Sequence, residues 1–430
     1  LSLFHINRCI VRYTPDLSRP LIGTRRAAPV SATVPLTRHC SAHPTMDRLP
    51  IEEAIPPLRE RLATGRSLLL TAQPGAGKTT RVPIALLDEP WLTGQKLIML
   101  EPRRLAARAA ATYMAASLGE PVGRTVGYRI RHESKVSAAT RIEVVTEGIL
   151  TRLLQQDPSL AGYGLVIFDE FHERSLQADL GLAFARESQR LFREDLRLLV
   201  MSATLDCAAV TSLLSDATAI SCEGRLFPVT THYLDRPIDG HIEPAVVRSI
   251  KAALAKESGS LLVFLPGMAE IRRVERQLHE SRLDPDVIIA PLHGELPQAE
   301  QEQAIDPAPS GSRKIVLATS IAETSLTIEG VRVVIDAGLM RIPRFDPRTG
   351  LTRLDTIRVT LDAADQRRGR AGRLEAGTCY RLWTNAEHQA LLPRRPPEML
   401  EADLAPLALE LAEWGVLDAK ELSWLDPPPA

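Results

Sequence analysis

Glycine, lysine and threonine fall together in AQPGAGKTT, Ala72 to Thr80, a spacing suited to holding a polyphosphate. Gly75 and Gly77, on either side of Ala76, let backbone N–H groups curl round phosphate oxygens. Lys78 adds a point charge at the β- and γ-phosphates, and Thr79 offers a hydroxyl to Mg2+. A second group, Asp169-Glu170-Phe171-His172, ends the apolar run Leu165 to Phe168. There Asp169 is suited to hold Mg2+, directly or through water, and Glu170 to orient or deprotonate an attacking water. His172 is placed to sense the γ-phosphate. A third group, QRRGRAGR from Gln366 to Arg373, is an arginine-rich turn. Arg370 and Arg373 on it are able to reach across a cleft and stabilise charge on a transferring phosphoryl group. Taken singly, these strings also read as a strand-to-helix turn, a solvated strand end and a basic loop that grips nucleic acid.

The elements that must position these groups are legible as alternating runs. Ser67 to Leu70, Lys96 to Leu100, Ile142 to Val145, Leu165 to Phe168 and Leu198 to Met201 are strand-like and alternate with helix-like stretches. A connecting stretch around Cys222 to Pro237 follows. The alternation then repeats at Leu261 to Leu265, Val287 to Ala290, Lys314 to Ala318 and Val331 to Ile335. This predicts an α/β fold of two tandem domains, each a parallel sheet with helices on both faces. Only the first carries a phosphate loop. Turn chemistry at Asp346 to Gly350, between Arg341 to Phe345 and Leu351 to Asp355, predicts a β-hairpin on the second domain. Leu404, Leu407, Leu411 and Trp414 share one face of a later helix.

At 430 residues the chain exceeds one ordinary core. Lys plus Arg total 52 and Asp plus Glu 53, so no whole-molecule basic field advertises nucleic acid, and a nucleic-acid site must be a local cleft. The five cysteines form no C-x-x-C pair and suit a reducing cytoplasm. No apolar run approaches the ~18 residues of a membrane span. Residues 1–45 carry six arginines, no lysine and one acid, Asp16, and read as a disordered or non-native extension, either a transit-like leader or upstream sequence before Met46.

The ordered set resembles the DEAH/RHA group of superfamily 2 helicases, most closely its bacterial HrpB type. AQPGAGKTT is similar to motif I, EPRRLAARAA (Glu101 to Ala110) to Ia, TEGIL (Thr146 to Leu150) to Ib and DEFH to II. Ser202-Ala203-Thr204 is similar to III, LVFLPG (Leu262 to Gly267) to IV, ATSIAETSLTIEG (Ala318 to Gly330) to V and QRRGRAGR to VI. Ala72 departs from the usual first glycine of motif I, Phe171 from the alanine of DEAH. Leu339 stands near where relatives place an aromatic residue against the base, which predicts loose base selectivity.

The resemblance implies two RecA-like domains, at 46–222 and 223–385, with 386–430 opening a winged-helix and helical unit whose remainder, like the family's further C-terminal domains, lies beyond this sequence. It implies that Lys78, Thr79, Thr80 and Asp169 hold MgATP, that Glu170 handles the water, and that Gln366, Arg370 and Arg373 sense or stabilise the γ-phosphate. Arg103, Arg104, Thr146, Gly267, Thr319 and Ser320 are then expected on the sugar-phosphate backbone of single-stranded nucleic acid, RNA or DNA. The implied activity is ATP-driven 3′ to 5′ movement along a strand; an ATP-gated nucleic-acid binder without unwinding is the competing expectation.

Overall fold

In Ser67–Ala72 (β1), reading SLLLTA, successive side chains point to opposite faces of a sheet. Leu68 and Leu70 pack with Leu97, Met99, Val144 and Ile167 on one face, and Leu69 packs with Ile98, Val145, Val166 and Leu198 on the other. Burial on both faces explains why these strands are continuous apolar runs. The computed structural model describes residues 49–203, 207–214, 217–224, 227–323 and 328–429. The extension expected at 1–45, together with Met46, Thr204 and part of the motif V segment, lies outside them. All the described residues belong to one compact unit.

The first sheet continues through Lys96–Glu101 (β2), Val126–Ile130 (β3), Glu133–Lys135 (β4), Ile142–Thr146 (β5), Tyr163–Phe168 (β6), Arg197–Ser202 (β7) and Thr218–Cys222 (β8). Its spatial order is β4-β3-β5-β2-β6-β7-β1-β8, and only the β3–β4 pair is antiparallel. The helices with it are Ile55–Thr64 (α1), Lys78–Ala85 (α2), Arg104–Ser117 (α3), Glu147–Gln156 (α4), Leu176–Leu191 (α5) and Cys207–Leu213 (α6).

The second sheet holds Val229–Leu234 (β9), Ser260–Phe264 (β10), Val287–Leu292 (β11), Arg313–Ala318 (β12) and Val331–Asp336 (β13). After the hairpin Leu339–Asp346 (β14) and Leu351–Arg358 (β15) it is completed by Gly377–Thr384 (β16). The order is β11-β12-β10-β13-β16-β9, all parallel. Helices Glu243–Lys256 (α7), Met268–Glu280 (α8), Gln298–Ile305 (α9) and Leu361–Gly369 (α10) accompany it. The hairpin forms where its turn residues lie, with Asp346 paired to Leu351.

One expectation is corrected. The stretch Cys222 to Pro237 is more than a connection, because β9 within it forms the edge of the second sheet. An edge strand is only partly covered, so VTTHYL lacks the continuous apolar run that marks an interior strand; β8, mostly exposed on the first sheet's edge, escaped notice for the same reason.

After β16 the described chain is helical, with Asn385–Gln389 (α11) and Ala405–Trp414 (α12). α12 packs on the first domain: Leu407 and Leu411 are buried with Leu150, Leu154 and Phe184, and the Trp414 ring stacks on Phe184 at 4.2 Å between centroids.

Candidate active site

The phosphate loop joins β1 to α2. Gly75 and Gly77 have φ of 88° and 95°, in the left-handed region that a side chain would strain. At Gly77 an added β-carbon would also stand 2.8 Å from a Leu49 methyl. The first residue of α2 is Lys78, whose ammonium lies 2.9 Å from Glu170 Oε1 and 3.6 Å from Asp169 Oδ1. Thr79, next on the helix, donates its hydroxyl to Asp169 Oδ2. Thr80 is half-buried on the same turn.

Both acids follow β6, whose carboxyl end opens on the loop between β1 and α2. Glu170 adopts φ 50°, a left-handed conformation uncommon outside glycine and typical of constrained functional turns. Burial opposes its charge, but Lys78, His172 and Arg370 outweigh burial and bring its pKa down to about 2. Asp169 moves the other way: burial and the Glu170 charge raise it, against the pull of Lys78. Burial also disfavours the Lys78 ammonium, yet Glu170 and Asp169 overcome this and its pKa rises. His172 Nδ1 lies 3.4 Å from Glu170 Oε2 and accepts from the Ala203 N–H at 3.4 Å, linking the acid to the segment after β7.

Glu101 was missed as a site residue. It ends β2, is fully buried, and burial together with Asp169 and Glu170 pushes its pKa well above the ordinary carboxylate range. The signal was available, because KLIMLE ends in an acid at the carboxyl end of a buried strand, the same pattern that singled out Asp169.

From the second domain, α10 leads into a short turn, Arg370–Gly372. Arg367 anchors it. Fully buried, its guanidinium lies 2.7 Å from Asp336 Oδ1 and donates to Glu323 Oε1 at 2.7 Å, and it sits over the Phe264 ring at 4.9 Å. Arg370 donates to the Glu323 carbonyl. Arg373 reaches the phosphate loop: its Cγ is 3.8 Å from where a β-carbon on Gly75 would stand. Burial lowers both arginines, Arg370 further because Arg373 repels it, while Glu170 draws both back; Arg373 falls to about 10. Gln366 is half-buried on α10. Leu339 begins β14, and its carbonyl accepts from Arg367 at 3.2 Å.

The six residues expected on a nucleic-acid strand lie at or just beyond the carboxyl ends of strands. Thr146 ends β5 and precedes α4, Gly267 follows β10, and Thr319 and Ser320 follow β12. Arg341, paired with Glu270 at 3.2 Å, crowds Gly267 so closely that a β-carbon there would stand 2.3 Å from its Nη1. Arg104 is exposed at the start of α3. Arg103 donates to the Ser320 carbonyl and to Glu173 Oε2 at 3.2 Å.

Asp169 and the Thr79 hydroxyl are hard oxygen donors of the kind Mg2+ accepts, and that ion commonly takes one or two carboxylates and completes its shell with phosphate oxygens and water. The residues therefore fit a Mg2+–nucleotide pair. Among the described residues no helix is long and apolar enough to cross a membrane.

The DEAD/DEAH box helicase profile matches residues 51–213, and the helicase conserved C-terminal domain profile matches 245–375. Escherichia coli "ATP-dependent RNA helicase HrpB" is 51% identical over 384 residues, 89% of this chain and 47% of that protein. The Schizosaccharomyces pombe "Pre-mRNA-splicing factor ATP-dependent RNA helicase prp22" is 36% identical over 389 residues, 89% of this chain and 33% of that one. The crystal structure of E. coli DEAH/RHA helicase HrpB superposes with a TM-score of 0.84 at 50% identity, over 89% of this chain and 48% of its own. The chain thus spans half or less of the length of these relatives. The two sheets are tandem RecA-like helicase domains, and the chain belongs to the DEAD/DEAH box helicase family, with its likeness to the HrpB type running through both domains.

Proposed function

We propose that this chain is the two-domain motor core of an ATP-dependent RNA helicase, hydrolysing ATP to drive 3′ to 5′ movement on a single strand. The observation that carries this reading is Arg373, contributed by the second domain, lying against Gly75 in the phosphate loop of the first. A cation beside that loop is suited to developing charge on a transferring phosphoryl group, so hydrolysis depends on how the two domains meet.

Gly75, Ala76, Gly77, Lys78 and Thr80 cradle the phosphates, and Thr79 and Asp169 hold Mg2+. The bound ion would neutralise charge on the β- and γ-phosphoryl oxygens. Lys78 now neutralises Glu170; phosphate oxygens compete for that ammonium, and Glu170, relieved of it, becomes a stronger base toward water. His172 ties Glu170 to the segment after β7, and Gln366, Arg370 and Arg373 read the γ-phosphate.

Arg104, Thr146, Gly267, Thr319 and Ser320 present short donors and backbone amides to the strand, which suits weak sequence preference. The relatives' names favour RNA as the polymer and ATP as the fuel. The proposed domains are 46–222 and 223–385, with 386–430 beginning an accessory unit, in a protein of the cytoplasm.

The test is steady-state ATP hydrolysis with and without single-stranded RNA or DNA, beside Glu170→Gln at matched salt. RNA-stimulated turnover that Glu170→Gln abolishes is the expected result. Strand binding gated by ATP without turnover would replace the motor with a nucleotide-gated binder.

A further inference from the structure

We infer that the first turn of α3 is an interdomain latch, in which Arg103 and Leu105 hold the Ser320–Ala322 turn of the second domain against the loop following Glu170. Arg103 is the residue before α3, in extended backbone, which swings its guanidinium across the cleft. One nitrogen donates to the Ser320 carbonyl and another to Glu173 Oε2, 3.2 Å away. Glu173 closes the short turn Phe171–Glu173 that directly follows the catalytic acid. One guanidinium therefore bridges the strand-facing edge of the second domain and the hydrolysis site of the first.

An independent apolar contact lies beside it. Leu105 belongs to the first domain, yet it is 5% exposed and buried in the second domain's core with Phe264, Leu292, Ala318 and Ala322. Ala109, one helical turn further on, packs against the same cluster, as i, i+4 spacing requires. Arg104, between the two latch residues, faces solvent. The latch is thus a two-point fork backed by an apolar knob. A lysine keeps the charge but lacks the planar fork that reaches both partners at once. Arg103 is a positioning residue: it does not touch the reacting atoms, and it couples the turn after β12 to the turn after β6.

This inference rests on the motor reading for its catalytic consequence, but its structural half is tested without hydrolysis. Small-angle scattering of the full chain is compared for wild type, Arg103→Ala, Arg103→Lys and Leu105→Ala, with and without nucleotide, and RNA affinity is measured across a salt series. A latch predicts expanded particles for Arg103→Ala and Leu105→Ala under matched conditions, and no rescue by Arg103→Lys. It also predicts an unchanged salt slope and RNA-stimulated kcat lowered about tenfold. The inference is overturned if scattering is unchanged while Arg103→Ala flattens the salt slope by about 0.7 and Arg103→Lys restores it, because Arg103 would then be a phosphate contact. Wild type lacking RNA-stimulated turnover would defeat the motor reading and leave the scattering result to decide the latch.

Discussion

The two RecA-like domains bury opposite charges where they meet. The first sinks three carboxylates, Glu101, Asp169 and Glu170, around the single ammonium of Lys78. The second sinks Arg367 and Arg370 and holds them with Glu323 and Asp336. The acidic half has one ammonium for three carboxyl groups, and burial with Asp169 and Glu170 raises Glu101, whereas the basic half pairs Arg367 with its own carboxylates and leaves Arg370 drawn toward Glu170 across the cleft. What the pairing adds is proximity: Arg370 helps to depress Glu170, and Glu170 draws Arg373 back, only because the domains face each other, and the electrostatic state of the acid reports on the cleft.

Breaking the acidic half should have the largest effect. Lys78→Ala removes the group expected on the β- and γ-phosphates, and steady-state turnover should fall by about 10⁴ or more. Arg373→Ala breaks the basic half's reach across the cleft; kcat should fall about a thousandfold while nucleotide affinity, measured by calorimetry, changes only a few-fold. Equal turnover in wild type and Arg373→Ala would refute its role.

Within the basic half, Arg367→Ala strands Glu323 and Asp336 in the interior and should cost about 3–5 kcal/mol in urea unfolding. The smallest expected effect sharpens the acidic half's tolerance of desolvated carboxylates. Glu147 is half-buried beside Ser175, and desolvation, reinforced by Glu173, Glu398 and Asp179, raises its pKa to about 7. A carboxyl with a raised folded-state pKa contributes stability that is present below its unfolded value and lost as pH rises through about 7. Glu147→Gln should therefore abolish a decline on the order of 3 kcal/mol between pH 5 and pH 8, seen by comparing urea melts at the two values.

The phosphate loop, the acidic strand end and the arginine turn were legible because each is a local string whose chemistry is carried by adjacent residues. Interior strands were legible because burial on both faces leaves an unbroken apolar run, as in Leu68 to Leu70. The edge strands β8 and β9 were not, because water on one side permits threonine, serine and histidine in them. Glu101 obeyed the rule that found Asp169, and it escaped because Arg103 and Arg104, in the same motif Ia string, drew the reading toward a nucleic-acid strand.

By itself the sequence determined the chemical inventory and the alternation that brings strand ends, and so their loops, to one side of each sheet. Tertiary structure decided which groups meet. Arg103 finds the Ser320 carbonyl 217 positions away, Arg367 finds Glu323 at 44, and Arg373 finds Gly75 across the cleft. Local periodicity reports whether a residue is buried, and it carries no information about which distant loop closes over it, because that is set by the packing of whole sheets and helices.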